Sequence, residues 1–124
     1  MTKVAQTFEA LIEAYLKGLY EGDHETLAAI FHPTADLRWQ EEGKLQILTV
    51  EDWLTRVKGR KSAKTDGHAR EDFVITIDRA DENIALVKLR SRIPPRYFTD
   101  YLIGARLEDG WKVVSKVYRY DLIK

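Results

Sequence analysis

Apolar residues at the start of the chain recur with a helical period. Phe8, Leu11, Ile12, Tyr15, Leu16 and Leu19 share one stripe, with Glu9, Glu13 and Lys17 opposite, the pattern of a helix with one buried face. Gly18 interrupts its interior, where glycine costs about 1 kcal/mol relative to alanine, so a neighbour is expected to approach closely there. Gly22 suits the helix C-terminus. Asp23 suits the N-cap of a second helix, which carries Leu27, Ala28, Ile30 and Phe31 and is stopped by Pro33. The period then changes to two. Ala35, Leu37 and Trp39 alternate with Asp36, Arg38 and Gln40, predicting a half-buried strand over 35–41. Glu42-Gly43 can turn this strand into a second one over 44–48. Thr49, with Asp52 three residues on, resembles a capping box for a third helix that carries Trp53, Leu54 and Val57 and ends at Gly59.

Residues 59–70 (GRKSAKTDGHAR) have no apolar period and are expected to form a flexible, basic loop. Only strands follow. Phe73, Ile75 and Ile77 alternate, a longer strand over 84–93 stops at Pro94-Pro95, and another covers 97–107. Asp109-Gly110 is a hairpin turn signal, and the last strand covers 111–120. Three helices at the front and a run of strands at the back predict one α+β domain over 1–124, with helices on one face of a mainly antiparallel sheet.

The order of Tyr15, GLYEGD (18–23), FHPTADLRW (31–39), Trp53, FTDYL (98–102), DGW (109–111) and KVY (116–118) resembles the nuclear transport factor 2-like superfamily, and within it the bacterial group labelled putative lumazine-binding. The resemblance covers nearly the whole chain. It implies the cystatin-like, cone-shaped α+β fold, in which a curved sheet and its helices enclose an internal pocket. It also implies a homodimer packed through the sheet. Ketosteroid isomerase, scytalone dehydratase, limonene epoxide hydrolase and polyketide cyclases share that fold, so fold does not by itself assign an activity.

Composition narrows the function classes. Lys+Arg and Asp+Glu both number 20, so the formal net charge is zero and nothing global attracts nucleic acid or an anionic membrane. The absence of cysteine excludes disulfides, thiolate catalysis and zinc–cysteine sites. No apolar run approaches the roughly 20 residues that span a bilayer, and Glu9 and Glu13 interrupt what a signal peptide would keep apolar. A cytoplasmic location is the expectation. His24, His32 and His68 lack ligand spacing, so no metal is expected. There is no phosphate-loop or dinucleotide fingerprint, so no cofactor is expected either.

The candidate chemistry is sparse. Tyr15 lies on the buried stripe. Its distance ahead of Gly22-Asp23 resembles that of the helix-1 tyrosine that polarises the substrate oxygen in ketosteroid isomerase; a phenol in an apolar pocket is a suitable donor. The plainer alternative is a core tyrosine with its hydroxyl on a backbone carbonyl. Where the isomerase keeps its general base, counting from Phe31, this chain has Trp39, which cannot accept a proton. His32 is a candidate base with Asp36 as orienter, or else a cap at the helix end. Asp100 is a candidate buried acid. Strict alternation groups it with Leu102 and Arg106, opposite a Tyr101, Ile103 and Leu107 set that looks like the core or pocket side. On that parity Asp100 pairs with Lys88 or Lys116 on the outer face, unless Gly104 marks a bulge. Tyr15, Trp39, Trp53 and Tyr101 are the expected ligand-binding residues. Trp111, just after a turn, is expected to pack as a structural corner. Arg60, Lys61, Lys64 and Arg70 form either a solvated loop or a neutralising patch at the pocket mouth. The leading expectation is a domain that binds a small apolar or aromatic molecule. The alternatives are a cofactor-free dehydratase, isomerase or cyclase using Tyr15 with His32, Asp36 or Asp100, and a dimeric interaction module.

Overall fold

A computed structural model describes residues 5–123. Helix α1 (Phe8–Glu21) starts where the Thr7 hydroxyl accepts the Ala10 amide at 3.0 Å, and it ends at Gly22 in the left-handed region, φ 67°. Asp23 accepts the Thr26 amide at 3.1 Å and caps α2 (His24–Ile30). The glycine expected to permit a close approach does so: a Cβ on Gly18 would lie 2.9 Å from Leu27 Cδ2. Helix α3 (Val50–Gly59) is capped by Thr49, whose hydroxyl accepts the Asp52 amide at 3.1 Å.

Six strands make one sheet: β1 (Asp36–Glu41), β2 (Lys44–Thr49), β3 (Asp72–Arg79), β4 (Ile84–Ile93), β5 (Arg96–Leu107) and β6 (Gly110–Leu122). Their order is β2-β1-β6-β5-β4-β3, antiparallel except for the parallel pair β1–β6. Glu42 and Gly43, both at positive φ, form the tight β1–β2 turn. All three helices pack on one face of this sheet. Phe8, Leu11, Tyr15, Leu27, Leu37, Leu89, Leu102 and Val113 fill the space between, none more than 1% exposed. Trp111 is buried at a corner, its ring 5.1 Å from that of Phe8 and its amide on the Ala5 carbonyl.

Two expectations need correction. Asp100 faces inward, with Leu102 and Gly104, and Tyr101 faces the outer side of the sheet, where it is 41% exposed. A bulge does occur at Ile103/Gly104, but its extra residue, Val114, is on β6, so β5 keeps its alternation. Reading Tyr101 and Ile103 as the core side assumed that only the inner face carries apolar side chains. The outer face carries several. Second, residues 60–70 do not hang free. Ser62 packs against Gly22, the Lys64 amide donates to the Tyr20 carbonyl, the Tyr20 hydroxyl donates to the His68 carbonyl, and Arg70 bridges Glu13 and Asp72. Backbone bonds to α1 replace the apolar period that was lacking. The alternation Phe73, Ile75, Ile77 falls in β3 as expected, though not as one regular row. A bulge between Val74 and Thr76 breaks it, and Phe73 and Ile75 lie exposed on the edge strand.

At the bulged corner, Gly104 lets α1 come close to the sheet. A Cβ there would lie 2.6 Å from Phe8 Cε1, whereas one on Gly59 would meet nothing within 4 Å. Gly104→Ala should therefore destabilise the fold by about 1–3 kcal/mol, and Gly59→Ala should leave stability unchanged or raise it. Urea unfolding of both variants measures the difference. Equal midpoints would show that Phe8 yields without cost.

Candidate functional site

The inward rows of β5 and β6 change character along their length. Toward the helices they carry Leu102, Gly104 and Val113, all buried. Farther along they carry Asp100 and Lys116, still beneath Tyr15 of α1, and then Arg96 and Phe98 on β5 and Tyr118 and Tyr120 on β6. Registry places Asp100 opposite Tyr118 and Phe98 opposite Tyr120. These residues line a cavity of about 570 Å³, closed on the other sides by Trp39 of β1, Trp53 and Arg56 of α3, and Arg60 just past it.

At its floor, three polar groups meet. Asp100 is 1% exposed. Its Oδ2 accepts the Tyr15 hydroxyl at 2.5 Å and lies 3.9 Å from Lys116 Nζ; its Oδ1 is buried with no hydrogen-bond partner among the described residues. Lys116 Nζ sits among three rings, 4.6 Å from the centre of Trp53, 5.0 Å from Tyr118 and 5.1 Å from Tyr15, a geometry suited to cation–π attraction. Burial raises the Tyr15 pKa well above its ordinary value, and the Asp100 charge adds to this. The phenol therefore stays a donor to Asp100. Burial lowers Lys116 to about 8, outweighing the opposite pull of Asp100.

The walls are aromatic. Tyr118 lies 5.4 Å from Trp39 and 5.9 Å from Phe98, and Phe98 lies 5.7 Å from Tyr120. Burial, then the Asp100 charge, raises the Tyr118 pKa. At the mouth, burial and then the neighbouring Arg96 lower the Arg60 pKa.

The sequence candidates divide accordingly. Trp39, Trp53 and Asp100 line the cavity. Tyr15 is fully buried behind Asp100 and reaches the cavity only through it. Tyr101 is on the opposite face, its ring under Lys88 Nζ at 5.4 Å. His32 shares a hydrogen bond with the Thr34 hydroxyl at 2.7 Å, and Asp36 is paired with Arg38 at 2.9 Å; neither is among the lining residues. Sequence reasoning missed Arg56, Arg96, Phe98 and Tyr120. The available signal was the period of two in Arg96-Phe98-Asp100 and Lys116-Tyr118-Tyr120: bulky polar and aromatic side chains continuing an otherwise aliphatic inward row. Arg56 lies three residues after Trp53 and so shares its helical face.

The buried lysine makes stability depend on pH. Its folded pKa lies below its unfolded value. Between about 8 and 10.5 the unfolded chain therefore holds more protons, and stability rises with pH across that window. The gap corresponds to about 3 kcal/mol at most. Tyr15 acts in the opposite sense, its raised pKa removing stability above its ordinary value of 10.0. The expected profile of thermal midpoint against pH rises from about 8 toward 10 and then falls. In Lys116→Met the rise should vanish; a parallel profile would show that Lys116 does not titrate in this window.

Comparison with known proteins agrees with this architecture. A search of curated proteins returns no match. Among solved structures, an NTF-2 like protein of unknown function from Silicibacter pomeroyi superposes with a TM-score of 0.80 at 23% identity, covering 93% of each chain. A ketosteroid isomerase-like protein from Erwinia carotovora atroseptica gives 0.69 at 11% identity, over 92% of this chain and 93% of that one. A cystatin-like fold protein from Burkholderia xenovorans gives 0.69 at 19%, over 94% and 90%. At these identities the likeness establishes the fold. The family model described as "Putative lumazine-binding" matches residues 3–119, and the chain belongs to that family.

Proposed function

We propose that the domain binds a small planar aromatic molecule in the cavity between β5, β6 and α3. The observation that carries this reading is the floor: a carboxylate 1% exposed, with one oxygen held by Tyr15 and the other without a partner among the described residues. A buried acceptor left unpaired costs free energy, and a ligand N–H or O–H donor would supply the missing bond. The rings of Trp39, Trp53, Phe98 and Tyr118 flank that position and suit a flat ligand. The description of the family as lumazine-binding fits such a molecule, a flat heterocycle with ring N–H donors.

The same floor supports a second reading, proton transfer within the bound molecule. Among His32, Asp36 and Asp100, only Asp100 lines the cavity, so it would be the acceptor, with Tyr15 as the residue that orients it. Tyr15 would then not touch the substrate.

We also propose that two copies pair through the outer face of the sheet, with the domain in the cytoplasm. Leu45 and Ile47 on β2, and Val117 and Tyr101 on the adjacent β6 and β5, expose apolar surface on that face, on either side of Arg38 of β1. Apolar surface of this kind on a small domain suits association; Lys88, beside Tyr101, suits a polar rim.

Tryptophan emission reports binding directly. Trp111 lies outside the cavity, so Trp111→Phe leaves Trp39 and Trp53 as reporters. Pterin or flavin should quench their emission and raise the thermal midpoint. Asp100→Asn should weaken binding about tenfold. No quenching by any flat heterocycle would sink the binding reading. For proton transfer, exchange of ligand C–H for deuterium should occur with the native protein and be lost in Asp100→Asn. For pairing, Val117→Lys should convert a dimer to a monomer by light scattering with its circular dichroism unchanged. A native monomer at every concentration would rule pairing out.

A further inference from the structure

The arginines of this chain divide into two groups. Every arginine away from the cavity lies within 4.0 Å of a carboxylate: Arg38 of Asp36, Arg70 of Glu13 and Asp72, Arg79 of Glu9, Arg90 and Arg119 of Asp121, Arg92 of Glu71, and Arg106 of Glu82. Arg56, Arg60 and Arg96 have no such partner among the described residues, and all three line the same cavity. The chain as a whole carries equal numbers of acidic and basic residues, so this is a local imbalance. Glu41 also lines the cavity, yet it forms no ion pair with any of the three.

Secondary structure accounts for part of this. Arg56 is in the last turn of α3 and Arg60 is its C-cap, where a cation is favoured by the helix carbonyls. That argument does not reach Arg96, which opens β5 and whose guanidinium lies over the Tyr120 ring at 4.9 Å. It also does not explain why two elements distant in sequence bring like charges to one opening, where Arg96 lowers the pKa of Arg60. Mutual repulsion of this kind is relieved by a bound anion. Guanidinium is the side chain whose planar fork matches a carboxylate or a phosphate with two parallel hydrogen bonds.

We propose that the cavity selects an aromatic oxyanion: a flat ring bearing a carboxylate or phosphate, with the anion held by Arg56, Arg60 and Arg96 at the mouth and a ring donor at Asp100 on the floor. This rests on the binding of a planar ring proposed above and specifies its charge and orientation. The two ends of the cavity differ in charge: the floor pairs the Asp100 carboxylate with the Lys116 ammonium, whereas the opening gathers three guanidinium groups. At the floor the Lys116 charge is already matched by Asp100, whereas the guanidinium groups at the opening have no carboxylate partner among the described residues, so a ligand's anion is favoured at the opening.

Matched probes test it. Pterin against pterin-6-carboxylate, and riboflavin against its 5′-phosphate, differ only in the oxyanion. The anionic member of at least one pair should bind about tenfold tighter at low salt. The preference should shrink as salt rises. Arg96→Gln should weaken binding of the anionic member far more than that of the neutral one, so that most of the preference is lost, a result that loss of folding would not produce. Which pair discriminates tells carboxylate from phosphate. Equal affinity within both pairs overturns the oxyanion inference and leaves the planar-ring reading standing. If no ring binds but inorganic phosphate raises the thermal midpoint of the native protein and not of Arg96→Gln, the anion site stands without the ring. If neither rings nor phosphate bind, both proposals fall.

Discussion

A carboxylate as deeply enclosed as Asp100 is the constraint around which the rest of the cavity is arranged. An isolated ionised group in an apolar interior is far too costly to keep, so its surroundings must offer donors and charge. Tyr15 supplies a hydroxyl from α1, and Lys116 supplies a cation from β6. Each donor has a cost of its own. The phenol is buried completely, and the ammonium is stripped of water and lodged among three rings. The three groups compensate one another only in part, since one carboxylate oxygen stays unpaired among the described residues. Replacing such a set by well-packed apolar residues is often neutral or stabilising. Its presence at the boundary between core and cavity is therefore better explained by what enters the cavity than by stability.

That boundary also explains how the fold divides its labour. The helices cover the part of the sheet where β5 and β6 present Leu102, Gly104 and Val113, and there the packing is tight enough that Phe8 rests directly on the Gly104 backbone. A few residues along the same strands the inward positions become Asp100 and Lys116, still beneath Tyr15, and then Phe98 and Tyr118, and the cover ends. The long strands thus act as one surface with two uses, a dry half that holds the domain together and a half left open to a guest. Stability comes mainly from the first, which leaves the second free to carry groups that stability alone would not select.

Local chemistry made much of the scaffold legible before any coordinates. Gly22-Asp23 announced a helix end and a new cap, Gly18 announced a close contact with a neighbour that proved to be Leu27, and Thr49 announced α3, because each of these signals acts over a few residues. The face of β5 was misread because burial is decided across strands. Tyr101 and Ile103 look more apolar than Asp100, yet the strand's parity follows Gly104 fitting under Phe8, a contact between residues nearly a hundred positions apart. The segment 60–70 was read as loose for a related reason. Its order comes from backbone and side-chain bonds to α1, which leave no trace in hydrophobic periodicity.

The site itself was legible only in pieces. Tyr15, Trp39, Trp53 and Asp100 stood out singly, but the sequence offered no way to see that Tyr15 and Asp100, 85 positions apart, share a proton-donating contact. That contact changes the meaning of both. Tyr15 resembles a tyrosine that addresses a substrate directly, whereas here its hydroxyl is already committed to a carboxylate. Whatever a ligand meets at the floor is Asp100, with its charge moderated by the phenol behind it and the ammonium beside it. With Trp39 as wall rather than base, and guanidinium groups gathered at the opening, the cavity is polarised along its length. A polarised cavity distinguishes molecules by the placement of their charge as well as by shape, and it does so with groups that the folded chain already holds in place.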